Sequence, residues 1–161
     1  MGILGGCFLV LTLCIQHPSE PYQIISSNSH KTVIKLDPKA YIIKVFTKKY
    51  DKKADFAINT NFFWKNKPIG FIKDFELLPS IVAHNFNRPI FMVDYARNPS
   101  IGLVQNYNAL VDYSTATQAG PWLIKNNEIV YPHSMKDGIV SLDVARKTRH
   151  TAIGLTAASL S

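Results

Sequence analysis

Trp122-Leu123-Ile124-Lys125-Asn126-Asn127-Glu128-Ile129-Val130-Tyr131 is the stretch whose reading decides the fold class. Two short runs with β-branched residues flank Asn126-Asn127, and asparagine tolerates the positive φ angles that a two-residue turn demands, so the stretch predicts a β-hairpin. The pattern recurs upstream. Thr32-Val33-Ile34-Lys35-Leu36 and Tyr41-Ile42-Ile43-Lys44-Val45-Phe46 are separated by Asp37-Pro38-Lys39 and predict a second hairpin. Residues 55–59 read as a buried strand leaving into a turn at Thr60-Asn61, and residues 70–78 as one further strand ended by Pro79. Residues 88–95 and 101–104 flank the turn-like Arg97-Asn98-Pro99-Ser100, and residues 152–155 begin one more strand. Helix signals are confined to residues 80–85 and 108–113. The expected class is α+β, a strand-rich mixed sheet with few short helices.

A chain of 161 residues with 47% hydrophobic and 18% charged content is about one domain with a real core. The charge is uneven. Eight lysines between Lys31 and Lys53 face only Asp37 and Asp51, so that stretch supplies six of the seven net positive charges. Such lysines serve as a solvated face that protects sheet edges, or as a patch for an anionic polymer such as a polysaccharide. Aromatic and basic residues are not interleaved there, so nucleic acid is not an expected partner.

Gly2 to Ile15 is an apolar run broken only by Thr12, and His17-Pro18-Ser19-Glu20-Pro21 ends it. The run is short for a membrane span and suits the apolar core of an export signal, although no Lys or Arg precedes it. Residues 1–21 are therefore expected to be an export or anchoring segment and residues 22–161 the exported domain. The alternative is a buried N-terminal strand. Both cysteines, Cys7 and Cys14, fall inside the run, and Leu4-Gly5-Gly6-Cys7 is similar to a lipoprotein cleavage box, which would attach the chain to a membrane. Removal of the segment after Cys14 would leave a domain without cysteine, so no disulfide and no cysteine metal site are expected.

Three places carry residues suited to chemistry. Asn59 and Asn61, followed by Phe62, Phe63 and Trp64, set amide groups beside an aromatic wall, as sugar hydroxyls and a pyranose face require. The alternative is a turn whose asparagines cap their own backbone while the rings fill the core. Gln118-Ala119-Gly120-Pro121 lets the backbone approach a ligand, with Gln118 bonding a hydroxyl or phosphate oxygen, or is a strand entry with Gln118 in solvent. Arg149 and His150 pair a guanidinium fork for phosphate oxygens with a group that hands over a proton near neutral pH, or form part of a solvated basic loop. Asp74 and Glu76 share a strand face and could form a carboxylate pair, but Lys73-Asp74-Phe75-Glu76 reads as an ordinary solvated strand face. His84, His133 and His150 with Asp94 or Asp112 have no ligand spacing that supports a metal site.

Ala57-Ile58-Asn59-Thr60-Asn61-Phe62-Phe63, then Gln118-Ala119-Gly120-Pro121-Trp122-Leu123-Ile124, then Arg149-His150-Thr151-Ala152-Ile153-Gly154 resemble, in this order, three blocks of the phosphodiester glycosidase family. Gly70-Phe71-Ile72 is similar to its glycine-led strand. The family has glycines where this chain has Thr60 and Asn61, and an arginine where it has His150. Its aspartate-bearing Asp-Gly-Gly-Gly-Ser-like block is expected beyond Ser161, as in a longer chain. The resemblance implies a secreted, periplasmic or surface-anchored hydrolase of sugar-1-phosphodiesters, acting on an N-acetylglucosamine-like or exopolysaccharide substrate. It implies Arg149 and His150 as catalytic residues, and Asn59, Asn61, Phe63, Trp64, Gly70, Gln118 and Gly120 as substrate-binding residues. No cofactor or metal is expected. A carbohydrate-binding or surface-interaction protein on the same scaffold, without turnover, is the alternative.

Overall fold

The computed structural model describes residues 10–15, 22–29, 31–46, 56–59, 62–64, 67–74, 76–78, 88–130 and 151–156. In chain order the strands of the first half are β1 (Val10–Ile15), β2 (Tyr22–Ser27), β3 (Thr32–Leu36), β4 (Tyr41–Phe46), β5 (Phe56–Asn59), β6 (Phe62–Trp64) and β7 (Lys67–Ile69). They are followed by β8 (Ile72–Asp74), β9 (Glu76–Leu78), β10 (Ile90–Asp94), β11 (Pro99–Gly102), β12 (Tyr113–Gln118), β13 (Ile124–Lys125) and β14 (Glu128–Ile129). One 3-10 helix, Tyr107–Leu110, lies between β11 and β12. The fold is strand-rich, as expected, and every pairing among the described residues is antiparallel.

A five-stranded sheet in the order β11-β10-β12-β8-β9 organises the molecule, beside a three-stranded sheet β4-β1-β5. Successive side chains of a strand leave on opposite faces, so the large sheet has two packing surfaces. On one, Phe71, Ile90, Met92 and Ala116 meet Val104 and Leu110 from the segment after β11, with Tyr113 against the cluster. On the other, Ile72 meets Val45 of β4, with Ile43, Ile58 and Ile153 around the pair. Each fully buried side chain of this size contributes roughly 1.5–3 kcal/mol of transfer free energy.

Several sequence expectations hold locally. Asn126 and Asn127 take φ angles of 52° and 64°, and β13 pairs with β14 around them. β10 pairs with β11 as the flanking runs suggested, but the turn lies at residues 95–98 and the strand at Pro99–Gly102, each two residues earlier than expected, and Pro99, which lacks an N–H, opens an edge strand where none is needed. The Asp94 carboxylate holds that turn by accepting from the Asn98 backbone N–H at 2.7 Å and from the Asn98 side-chain amide at 2.7 Å. These bonds, the backbone one foremost, keep it below the ordinary carboxylate range.

Other expectations are corrected. β3 and β4 do not pair with each other. β3 pairs with β2, and β4 pairs with β1, because partner choice is settled by burial and not by proximity along the chain. The apolar run is not among these corrections: within it Val10–Ile15 form β1, the middle strand between β4 and β5, in line with its alternative reading as an N-terminal strand. Residues 70–78 form a hairpin, β8 on β9, which places Asp74 opposite Glu76 rather than along one strand. The 3-10 helix starts before the expected residue 108, where the Asn106 side chain accepts from the Ala109 N–H at 3.2 Å. It ends before 113, where β12 begins. Residues 152–155 are irregular rather than a strand. The helix expected at residues 80–85 lies outside the described residues.

Lys73 departs furthest from its expected solvated face. It is 7% exposed, and its ammonium donates to the carbonyl oxygens of Leu110 at 2.7 Å and Val111 at 3.3 Å, at the end of the 3-10 helix. It also lies 5.8 Å from the centre of the Tyr95 ring. A buried cation needs such acceptors, because its desolvation is otherwise uncompensated. Lys73→Met keeps the apolar stem and strands those carbonyls, so it is expected to lower unfolding free energy by about 1.5–3 kcal/mol in a urea titration. An unchanged midpoint would mean that water satisfies the two carbonyls equally well.

Candidate functional site

Three segments far apart in sequence meet around Gly70 and Phe71. β12 runs beside them, and the Gln118 N–H donates to the Phe71 carbonyl at 2.9 Å. The Gln118 side chain turns back on the same residue, Oε1 accepting from the Phe71 N–H at 3.3 Å. Its Nε2 donates to the Arg88 carbonyl at 3.4 Å, and the next residue, Ala119, donates its N–H to the Pro89 carbonyl at 3.2 Å. Gln118 is 2% exposed. One amide thus ties the turn before β8 to the segment before β10, because both of its ends meet backbone groups of the opposite kind.

Glycine is required at one of these positions. Gly70 has φ of 93°, and a Cβ there would stand 2.6 Å from Gln118 Oε1. Gly120 has no such constraint, since a Cβ would meet Pro89 Cδ at an ordinary 3.5 Å. The Gly120–Pro121 peptide is cis. Pro89 and the aliphatic stem of Arg88 lie against Gly120. Burial lowers the pKa of the Arg88 guanidinium from its usual value. The group stays charged at any working pH, so Arg88 contributes a partly desolvated cation.

The structure therefore brings together Gly70, Gln118 and Gly120 of the expected substrate-binding set, and adds Arg88, which the sequence reading passed over. The only signal for Arg88 was an Arg-Pro pair opening a strand. Phe63 and Trp64 lie on β6, whose Phe62 pairs with Ile69, the residue before Gly70, so the aromatic block adjoins the same turn through β7. Asn59 ends β5 and pairs with Val10 in the three-stranded sheet. Asn61, Arg149 and His150 lie outside the described residues, as do His84 and His133. The chain is described again just past His150, where Ile153 packs against the Val45–Ile72 pair, on the sheet face opposite Phe71. Gln118 in solvent, the alternative reading of its block, is corrected: burial and two backbone partners hold it inside. Among the described residues no three His, Cys, Asp or Glu side chains gather. Comparison with family models, curated proteins and solved structures found no match.

Proposed function

We propose that the protein is a hydrolase of sugar-1-phosphodiesters. The observation that supports this reading is the convergence of separate sequence blocks on residues 70–72. The aromatic block arrives through β6 and β7 and the Gln118–Pro121 block through β12, while Ile153 of the Arg149–Gly154 block meets Ile72 from the opposite face of the sheet. Water adds its hydroxyl to the anomeric carbon, the bond from that carbon to the phosphate oxygen breaks, and a proton completes the departing phosphomonoester. In this assignment Arg149 grips the phosphate oxygens, His150 supplies the proton, and Phe63 or Trp64 stacks on the sugar ring. Asn59 and Asn61 orient sugar hydroxyls from the strand end. Gly70, Gln118 and Gly120 hold the turn against which the substrate lies, Gln118 acting through the backbone that it fixes.

The test is incubation of the protein with an N-acetylglucosamine-1-phosphate methyl diester. Release of free N-acetylglucosamine and methyl phosphate in equal amounts is expected. Saturable binding of the diester without product would replace the reading with the carbohydrate-binding one.

The same proposal places the protein outside the cytoplasm. β1 fills the gap between β4 and β5, so the folded domain uses residues 10–15. The N-terminus of the exported, folded protein is therefore expected upstream of Val10, with the apolar run retained. N-terminal sequencing of exported material checks this, and a start after Cys14 would show that the sheet forms without β1.

A further inference from the structure

Two donor groups at the end of β12 have no part in the hydrolase assignment. Gln118 and Ala119 give their N–H groups to the carbonyls of Phe71 and Pro89, and Pro121 has no N–H to give. Between them Gly120 is half-buried, and its N–H meets no acceptor among the described residues. The second donor is the Arg88 guanidinium. The Arg88 carbonyl accepts from Gln118 Nε2 at 3.4 Å, and Arg88 Cγ lies 4.0 Å from where a Cβ on Gly120 would stand. The guanidinium continues the same stem, so staggered rotations of its outer bonds bring it within reach of the Gly120 backbone. It offers N–H donors in a fork and no acceptor, and the residue is half-buried, which thins the water that would otherwise screen its charge.

The chemistry of these donors selects the ligand. Both groups only donate and one is permanently positive, so the complementary group accepts only and is negative. A neutral sugar hydroxyl would take the N–H bond but gain little from the cation, whereas an oxyanion gains from both through charge-assisted bonds. Among the described residues of β8, β10 and β12 the carboxylates are Asp74 and Asp94. The register places them beside Thr115 and Tyr113, toward the other end of β12 from Gln118. The chain as a whole carries a net charge of +7, which adds a field that favours anions. We propose that Arg88 and the Gly120 N–H form an oxyanion subsite at the end of β12, which takes a phosphate or carboxylate group of the bound ligand. The subsite goes beyond the hydrolase reading, which gives the scissile phosphate to Arg149, and it stands with or without turnover.

The test is a titration of the full, isotope-labelled chain with inorganic phosphate and, separately, with glucuronate, following the Gly120 amide signal by NMR at fixed ionic strength. A saturable shift is expected. Response to phosphate alone makes the ligand's anion a phosphate, and response to glucuronate alone makes it a carboxylate. Arg88→Gln is expected to weaken the affinity about tenfold or more, and Arg88→Lys, which keeps the charge without the fork, to fall between it and the wild type. The denaturation midpoint of each variant is the folding control, and the wild-type titration depends on neither. Three outcomes would overturn the proposal. A Gly120 signal unmoved by both probes removes the subsite. A shift that never saturates, or that chloride reproduces at the same concentration, means an adventitious ion only. Saturable binding undiminished in folded Arg88→Gln places the anion elsewhere. A diester that is not hydrolysed while the Gly120 shift persists removes the hydrolase reading and leaves the subsite standing.

Discussion

Gln118→Ala is expected to destabilise the protein by about 3 kcal/mol, since it orphans the buried Phe71 N–H and opens a cavity against Gly70. The effect should be coupled to position 70. Gly70→Ala suffers twice, from a φ of 93° that an L side chain rarely adopts and from a Cβ placed 2.6 Å from Gln118 Oε1. The backbone part costs roughly 1–3 kcal/mol and persists in any background. The steric part vanishes once Gln118 is truncated, so the double variant should lose less than the sum of the singles by about 1 kcal/mol or more. Strict additivity in urea titrations would show that the amide and the turn are independent.

Gln118→Glu separates the amide's shape from its chemistry. A buried carboxyl has its pKa raised by desolvation, and its neutral form offers an O–H in place of Nε2–H to the Arg88 carbonyl. With the folded pKa above the unfolded one, the variant is most stable below the unfolded value and loses stability as pH rises through the folded value. It should therefore approach the wild type near about pH 4 and fall well below it near about pH 7. The reverse trend would mean that the position is open to solvent in the folded protein.

Strands were readable where side-chain identity alone selects them, as in the β-branched runs of β3 and β4 and the Asn126-Asn127 turn. Their partners were not, because pairing is settled by which faces become buried together, and that depends on distant residues. The alternation across residues 70–78 suits one strand and a tight hairpin equally, so the reversal between Asp74 and Glu76 left no trace in the pattern. Lys73 looked solvated because its acceptors, the carbonyls of Leu110 and Val111, are backbone groups common to any sequence. Gln118 was readable as a special position but not as a backbone clamp, for the same reason. Arg88 became interesting only through its neighbours across the sheet.

Arg149→Ala and His150→Ala are each expected to lower turnover of the diester by roughly 10²–10⁴-fold while leaving the denaturation midpoint within about 0.5 kcal/mol of wild type. The magnitude follows from the chemistry. A positioned proton donor removes the need to expel a dianionic phosphate unassisted, and a guanidinium fork neutralises charge on the oxygens that leave. A folding effect as large as the loss of turnover would instead make the two side chains part of the core. Ile153, three residues past His150, carries the packing on Val45 and Ile72, while Thr151 and Ala152 are exposed. The two substitutions should also differ in kind. Arg149→Ala should raise KM as well as lower kcat, since phosphate is gripped in the ground state too. His150→Ala should act chiefly on kcat and abolish the alkaline limb of the pH profile, because only the protonated imidazole donates. Trp64→Ala should weaken sugar affinity whether or not turnover exists, and so reports on the shared scaffold rather than on the reaction. Turnover that survives both basic substitutions would remove Arg149 and His150 from the site, and Arg88, held by Gln118 beside Gly120, would become the cation to test next.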